Sequence, residues 1–327
     1  MLMDWSAEIE TLSAHLVEHY VFPEVAAEVV KVLQGRLAEG AYADISGDEA
    51  FAAAVTDDLQ SVNGDKHLRL LHSATEVPVA DPFDAELYRA EVSLSGYGFT
   101  KVERLAGNVG YIDTTMFHWA ALAGDRAAAA MTLVADTDAL VFDVRRNRGG
   151  SPGMVAFICS YFFDFDYPTH LNSIYHRATD ALDQSWTLPY VPGPRFGPDK
   201  PIWVLTSSMT FSGAEELAYD LQTRERATIV GERTRGGANP GTRYRVGPHL
   251  KSSVPSGQAV NPVTGDNWEG TGVTPDVAVE AEEAFERAYA LALRHVLSLG
   301  EEGARHQVAT EAREALAGLR GDLVEGV

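Results

Sequence analysis

The sequence predicts an α/β protein, with a parallel sheet covered by helices behind a helical N-terminal domain. Three observations predict it. Short buried-type apolar runs alternate with helical patterns from about residue 88 onward, which is how a parallel sheet with crossover helices reads. Residues 4–72 instead read as helices. The 327-residue chain is 45% hydrophobic and 22% charged, an ordinary globular composition for a length that accommodates two domains.

The N-terminal domain is expected over residues 1–74. Leu12, Leu16 and Tyr20 recur at i, i+4, and Val29, Val30, Val32 and Leu33 continue an apolar face after Pro23. Asp44 to Gln60 predicts another helix, with Ser46 as N-cap and Glu49 three residues on, before an Asn63-Gly64-Asp65 turn. The α/β core with C-terminal helices is expected over 75–327. Val92 to Val102 reads as a strand pair broken at Gly96 and Gly98. Strands follow at Asn108–Thr114, Ala139–Arg145, Pro201–Thr206 and Ala227–Gly231, with helices at Ala120–Val134, Pro152–Phe163 and Ala214–Gln222. Residues 181–200 are rich in Pro and Gly and read as a surface loop. Residues 281–319 return to helix.

Charge and cysteine usage exclude several functions. There are 26 basic and 47 acidic residues, a formal charge of −21 that repels phosphate backbones and anionic lipids. No nucleic-acid or membrane partner is expected. Cys159 is the only cysteine, so neither an intramolecular disulfide nor a cysteine metal cluster can form, and its apolar run marks it as a buried small hydrophobe. No His-Glu-x-x-His occurs, and neither metal nor cofactor is expected. The first residues lack the basic and apolar regions of a signal peptide, and no run is long enough for a membrane span, so a cytoplasmic location is expected.

Two strand ends carry chemistry. Trp203–Thr206 runs into Ser-Ser-Met-Thr-Phe-Ser-Gly before a helix at Ala214, which puts Ser212 at a helix N-terminus. Unpaired N–H groups and the helix dipole there favour the negative charge that a serine nucleophile develops, and Gly213 can offer its N–H to an oxyanion. A helix cap fits the same residues. Asp143-Val-Arg-Arg-Asn-Arg-Gly149-Gly150 follows a buried strand, at the sheet end where ligands of open α/β sheets bind. Its two glycines suit either an oxyanion hole or a tight turn before Pro152. Among ten histidines, His67 follows a turn and opens Leu68-Arg-Leu-Leu71, a loop-edge position where functional groups concentrate, with His72 and His118 as chemical competitors; His15, His19, His295 and His306 fall on helices. Glu269, between turns and beside Trp268, suits a histidine-orienting carboxylate or a solvated loop acid.

Seven segments in order resemble the tail-specific (C-terminal processing) serine peptidases, in the branch with interphotoreceptor retinoid-binding protein modules and the tricorn core protease. They are Tyr20-Val-Phe-Pro-Glu, Asp65-Lys-His-Leu-Arg, Gly107-Asn-Val-Gly-Tyr, the Asp143–Gly150 run, Thr210-Phe-Ser-Gly-Ala-Glu-Glu, Ile229-Val-Gly-Glu-Arg-Thr-Arg-Gly-Gly-Ala-Asn, and Asn267-Trp-Glu-Gly-Thr-Gly-Val-Thr-Pro-Asp. The resemblance implies a ClpP/crotonase-like core, Ser212 as nucleophile, and an oxyanion hole from Gly149, Gly150 and Gly213. Many such peptidases activate the serine with a lysine, but Gly237 stands at that position here. The tricorn-like histidine and glutamate then carry over to His67 as base and Glu269 as its orienter. The stretch between His67 and the Gly107 strand is too short for the PDZ domain many relatives carry there. A peptide or protein substrate is implied, and a homo-oligomer is left open by the assembling members of the branch. The rival expectation is a non-catalytic, retinoid-binding-protein-like module for a hydrophobic small molecule or peptide end.

Overall fold

A computed structural model describes residues 3–79 and 84–319. In chain order its elements are α1 (Ser6–His19), α2 (Pro23–Ala38), α3 (Asp48–Gln60), β1 (Arg69–His72), α4 (Ala85–Leu94), β2 (Phe99–Leu105), β3 (Val109–Thr114), α5 (Ala120–Val134), β4 (Ala139–Asp143), α6 (Pro152–Cys159), β5 (His170–His176), β6 (Ala181–Trp186), β7 (Ile202–Thr206), α7 (Gly213–Thr223), β8 (Thr228–Gly231), β9 (Gly241–Gly247), β10 (Leu250–Pro255), β11 (Gly257–Val260), β12 (Val277–Ala278), α8 (Ala284–Ser298) and α9 (Arg305–Ala317). Among the described residues no helix is long and apolar enough to cross a membrane.

The chain forms two compact units. The smaller comprises the N-terminal stretch to Asp84 together with Ser173–Asp183 and Gly237–Val260. In it, the apolar faces of α1 to α3 supply Ile9, Leu12, Leu16, Val29, Leu33, Phe51 and Val55, all buried, and Trp5 stacks on Phe51 at 4.0 Å. Burying each such side chain contributes about 1.5–3 kcal/mol before entropy is counted. These helices share a core with Leu70 of β1 and with Val246, Leu250 and Val254 of the antiparallel sheet β1-β10-β9, registered as Arg69↔Ser253. The expectation of helix through residue 72 therefore ends early. Leu68 and Leu70 are buried while Arg69 and Leu71 are less so, a strand period. Ser46 is not the cap of α3. Gly47 occupies that position with φ 91°, a conformation open to glycine, and Ser46 stands one residue too early.

The larger unit comprises Ala85–Asn172, Gln184–Gly236 and the chain from Asn261 onward. Its six-stranded sheet has the order β12-β8-β7-β4-β3-β2, parallel except for the β2–β3 pair. β3, β4 and β7 are buried on both faces, which is why they read as continuous apolar runs. On one face Val109, Val141 and Leu205 pack against Ala288, Ala292 and Leu293 of α8. The strand pair expected at Val92–Val102 is corrected. α4 runs to Leu94, Gly96–Gly98 make one 3₁₀ turn, and β2 begins only at Phe99. The helix formers Ala85, Glu86, Leu87, Ala90 and Glu91 carry the helix past the residues whose alternation suggested a strand. Part of the 181–200 segment expected as loop is β6; the prolines and glycines fall after it.

Neighbouring parallel strands β4 and β7, paired Asp143↔Leu205, end side by side. The chain leaves β4 into the Gly149-Gly150 turn and leaves β7 into the Ser212 turn. Both turns thus emerge at the carboxyl edge of the sheet, where an open α/β sheet leaves room for a ligand.

Candidate active site

Ser212 sits immediately before α7 with φ 56° and ψ −124°. A non-glycine residue there costs about 1–3 kcal/mol, and such strain persists only where surroundings over-determine it. The surroundings do so here. The Ser212 N–H donates to Glu215 Oε2 at 2.8 Å. The other carboxylate oxygen, Glu215 Oε1, accepts the Thr234 hydroxyl and the Gly236 N–H, each at 2.6 Å. Glu215 is fully buried, so one carboxylate ties the Ser212 backbone to the 234–236 segment.

The preceding turn is fastened to the β4 turn. Ser207 Oγ donates to the Arg145 carbonyl at 2.6 Å and Thr210 Oγ1 to the Val144 carbonyl at 2.9 Å. Asn147, buried completely, links three pieces. Its amide donates to Thr114 Oγ1 at 2.9 Å, its side-chain oxygen accepts the Gly149 N–H at 2.8 Å, and its carbonyl accepts the Phe211 N–H at 3.2 Å.

The glycine turn is as tight as its residues allow. Gly149 has φ 101°, and a Cβ there would lie 2.7 Å from the Gly213 nitrogen and from Ser212 Cβ. Gly150 has φ 131°, and a Cβ would collide with the Phe117 carbonyl oxygen. Phe117 bridges this turn as a strand would, donating its N–H to the Gly149 carbonyl and accepting the Ser151 N–H, both at 2.7 Å. The three expected oxyanion donors therefore differ. The Gly149 N–H is committed to Asn147, whereas among the described residues no acceptor takes the N–H of Gly150 or Gly213.

Glu269 lies on a loop of the same unit, half-buried, with its N–H donated to Asn267 Oδ1 at 2.8 Å. Buried Trp268 beside it packs its ring 5.4 Å from that of Tyr219 on α7. The loop is tied to the 234–236 segment, since Thr234 Oγ1 accepts the Val273 N–H at 2.7 Å. A chain of bonds thus runs from the Ser212 backbone through Glu215 and Thr234 to the Glu269 loop.

His67 belongs to the smaller unit. Its N–H donates to Asp65 Oδ1 at 3.0 Å. Asp65 Oδ2 accepts the Tyr20 hydroxyl and the Asn239 amide, each at 3.0 Å, and Asn63 in turn donates to Tyr20 Oη at 2.7 Å. Burial raises the Asp65 carboxyl above its ordinary value, against the opposing pull of these donors. His72 lies exposed on β1, and His118 is held by Tyr88 Oη at 3.1 Å from Nδ1, its pKa lowered by burial. Gly237 also falls in the smaller unit.

Beyond Ser212, α7 buries two more acids. Burial raises Glu216 to about 7 and Asp220 well above the ordinary carboxylate range, the latter helped by its neighbour Glu216. Asn172 donates to Glu216 at 3.2 Å and Asn261 to Asp220 at 3.1 Å. Cys159 is buried, its thiol pushed up by burial, so it is no nucleophile.

Residues 108–279, just over half the chain, match peptidase family S41. The chain belongs to peptidase family S41. Residues 4–92 match the N-terminal domain of peptidase S41 in eukaryotic IRBP, and neither match is to a PDZ domain. Three solved structures share the fold of this S41 chain. One, described as a candidate peptidase of Parabacteroides merdae, is 19% identical with a TM-score of 0.60, covering 88% of this chain and 96% of its own. The photosystem II D1 C-terminal processing protease is 16% identical, TM-score 0.52, covering 93% and 99%. The tricorn protease is 13% identical, TM-score 0.50, covering 94% of this chain and 36% of its own. The S41 chain is a serine peptidase of mixed α/β fold with a helical N-terminal region.

Sequence reasoning named Ser212, Gly150, Gly213 and Glu269, and all four lie in the larger unit. It gave no role to Glu215, Asn147 or Asp65. Each lies inside a segment that carries the family resemblance, which was the available signal. Their work is done by buried hydrogen bonds that only folding reveals.

Proposed function

We propose that this S41 peptidase cleaves peptide bonds through an acyl-enzyme on Ser212, with His67 as general base and Glu269 holding the imidazole. In this reading Ser212 Oγ attacks the scissile carbonyl carbon while His67 takes its proton. The Gly150 and Gly213 N–H groups donate to the tetrahedral oxyanion, and the Gly149 N–H supports the turn instead of the charge. The C–N bond then breaks, the amine leaving with the proton from His67. Water, giving its proton to His67, hydrolyses the ester and frees Ser212. A ClpP/crotonase-like assignment of the core accords with the parallel sheet and the paired turns at its carboxyl edge.

The observation that carries the reading is the strained backbone of Ser212, held by a buried carboxylate beside two unengaged N–H donors. A fluorophosphonate probe should label wild-type protein once, at Ser212, and leave Ser212→Ala unlabelled. Replacing His67 or Glu269 by alanine should slow labelling without unfolding the protein. Equal labelling of wild type and Ser212→Ala would falsify the nucleophile. Full labelling of His67→Ala would remove the base.

A further inference from the structure

A cavity of about 350 Å³ opens beside the oxyanion turn, wholly within the larger unit. Its walls include Tyr88 of α4, Met116, His118, Trp119, Gly150 and Pro152. Its volume sits at the lower end of the roughly 300–1,000 Å³ usual for small-molecule sites, room for one large side chain. Among the described residues no carboxylate, lysine or arginine lines it, although the chain carries a net charge of −21. Trp119 is 47% exposed, and its ring lies 5.0 Å from that of Tyr88 at 51°. Tyr88 is fixed in turn by its hydrogen bond to His118 Nδ1. Oriented aromatic rings around such a hollow favour an apolar occupant and penalise a charged one, which would lose its hydration there.

Gly150 tells what that occupant is. The same residue walls the cavity and, in the reading above, donates to the oxyanion. A carbonyl polarised by Gly150 belongs to a residue whose Cα is two bonds from the oxygen, so its side chain is within reach of the cavity. We infer that the cavity between Tyr88, His118 and Trp119 receives the side chain of the residue that supplies the scissile carbonyl, and selects peptides with Phe, Leu or Met there. This inference rests on the peptidase reading of Gly150. It gives α4 a part in substrate choice, and Tyr88 and Trp119 become specificity residues.

The test uses the full chain carrying Ser212→Ala, which holds peptides without turning them over. Acetylated tetrapeptides of alanine ending in Phe, Ala or Asp are titrated by calorimetry. The Phe peptide should bind about tenfold or more tighter than the Ala peptide, with the Asp peptide weakest. Adding Trp119→Ala, or separately Tyr88→Ala on the opposite wall, should cut the preference for Phe to about threefold or less while the Ala peptide changes little. Equal affinity for the three peptides, tighter Asp binding, no binding of any, or a preference that survives both wall variants would overturn the inference. Fluorophosphonate labelling of the wild type reads the hydrolase separately. Labelled protein without discrimination keeps the peptidase and loses the pocket; discrimination without labelling keeps an apolar side-chain pocket but overturns both the peptidase reading and the pocket's assignment to the scissile residue.

Discussion

Ser212 and His67 stand in different compact units, yet each has its backbone N–H held by a fully buried carboxylate with two further partners. Glu215 gathers Ser212, Thr234 and Gly236; Asp65 gathers His67, Tyr20 and Asn239. The difference lies in what the carboxylate must oppose. At Ser212 it holds a positive-φ backbone beside a turn so close that a Cβ on Gly149 would lie 2.7 Å from the serine's own Cβ. At His67 it opposes no recorded strain and bundles loop, helix end and strand lead-in through side chains. In the proposed mechanism Ser212 must meet a carbonyl at a fixed angle, and its strained backbone would fix that angle. The base proposed at His67 is placed instead by a backbone N–H bond to a side-chain carboxylate.

The largest test of this contrast is Ser212→Ala. Peptide hydrolysis should fall roughly 10⁴-fold or more, with unfolding in urea unchanged or slightly favouring the variant, because alanine loses only the hydroxyl. Gly150→Ala comes next. The collision with Phe117 should move the turn and, through a lost oxyanion donor, cost about 10²–10³ in kcat, with KM less affected. Glu215→Ala should destabilise by roughly 3 kcal/mol in urea titration, since buried donors are left unpaired, and should lower kcat along with it. Asp65→Ala should cost roughly 2 kcal/mol, and Asp65→Asn less, because an amide oxygen still accepts from the His67 N–H. If Asp65→Ala proves the costlier of the two, the idea that strain sits only at the serine is wrong.

The smallest effect is one of pH. Glu216, Asp220 and Asp65 all have carboxyls raised by burial. Between the ordinary carboxylate range and their folded values, the folded chain keeps protons that the unfolded chain has lost. Their contribution is therefore full at acid pH and is lost as pH rises, for Glu216 across about 4.5 to 7. Each such group gives a slope of at most about 1.4 kcal/mol per pH unit. Urea midpoints measured across that range should fall with pH in the wild type and fall less in Glu216→Gln.

The core strands were legible because burial on both faces writes an unbroken apolar run, as in Ala139–Phe142 and Ile202–Leu205. Ala120–Val134 was legible to the residue. Lightly buried strands were not: β6 has mostly exposed residues, so no apolar period announces it. Nor could any local pattern say that Asn239 would donate to Asp65 across 174 residues of sequence. The Ser212 segment read locally as a cap, and in part it is one; what marks it as more is a backbone torsion, which composition does not encode. The commitment of the Gly149 N–H to Asn147 was equally invisible, because two adjacent glycines look alike until their donors are counted.

The smaller unit is stitched from three stretches of chain, the last ending at Val260. Its β1 strand has β10 as partner, so the N-terminal helices leave the ribosome long before the strand that completes their core. At about 5–20 residues per second that interval lasts on the order of ten seconds or more. Until then the edge of β1 and the part of the α1 to α3 core that this sheet covers must wait, and the unit that carries His67 matures only once residue 260 has emerged. Proteolytic activity, if it needs that histidine, is thereby withheld from every truncated chain that stops short of residue 260.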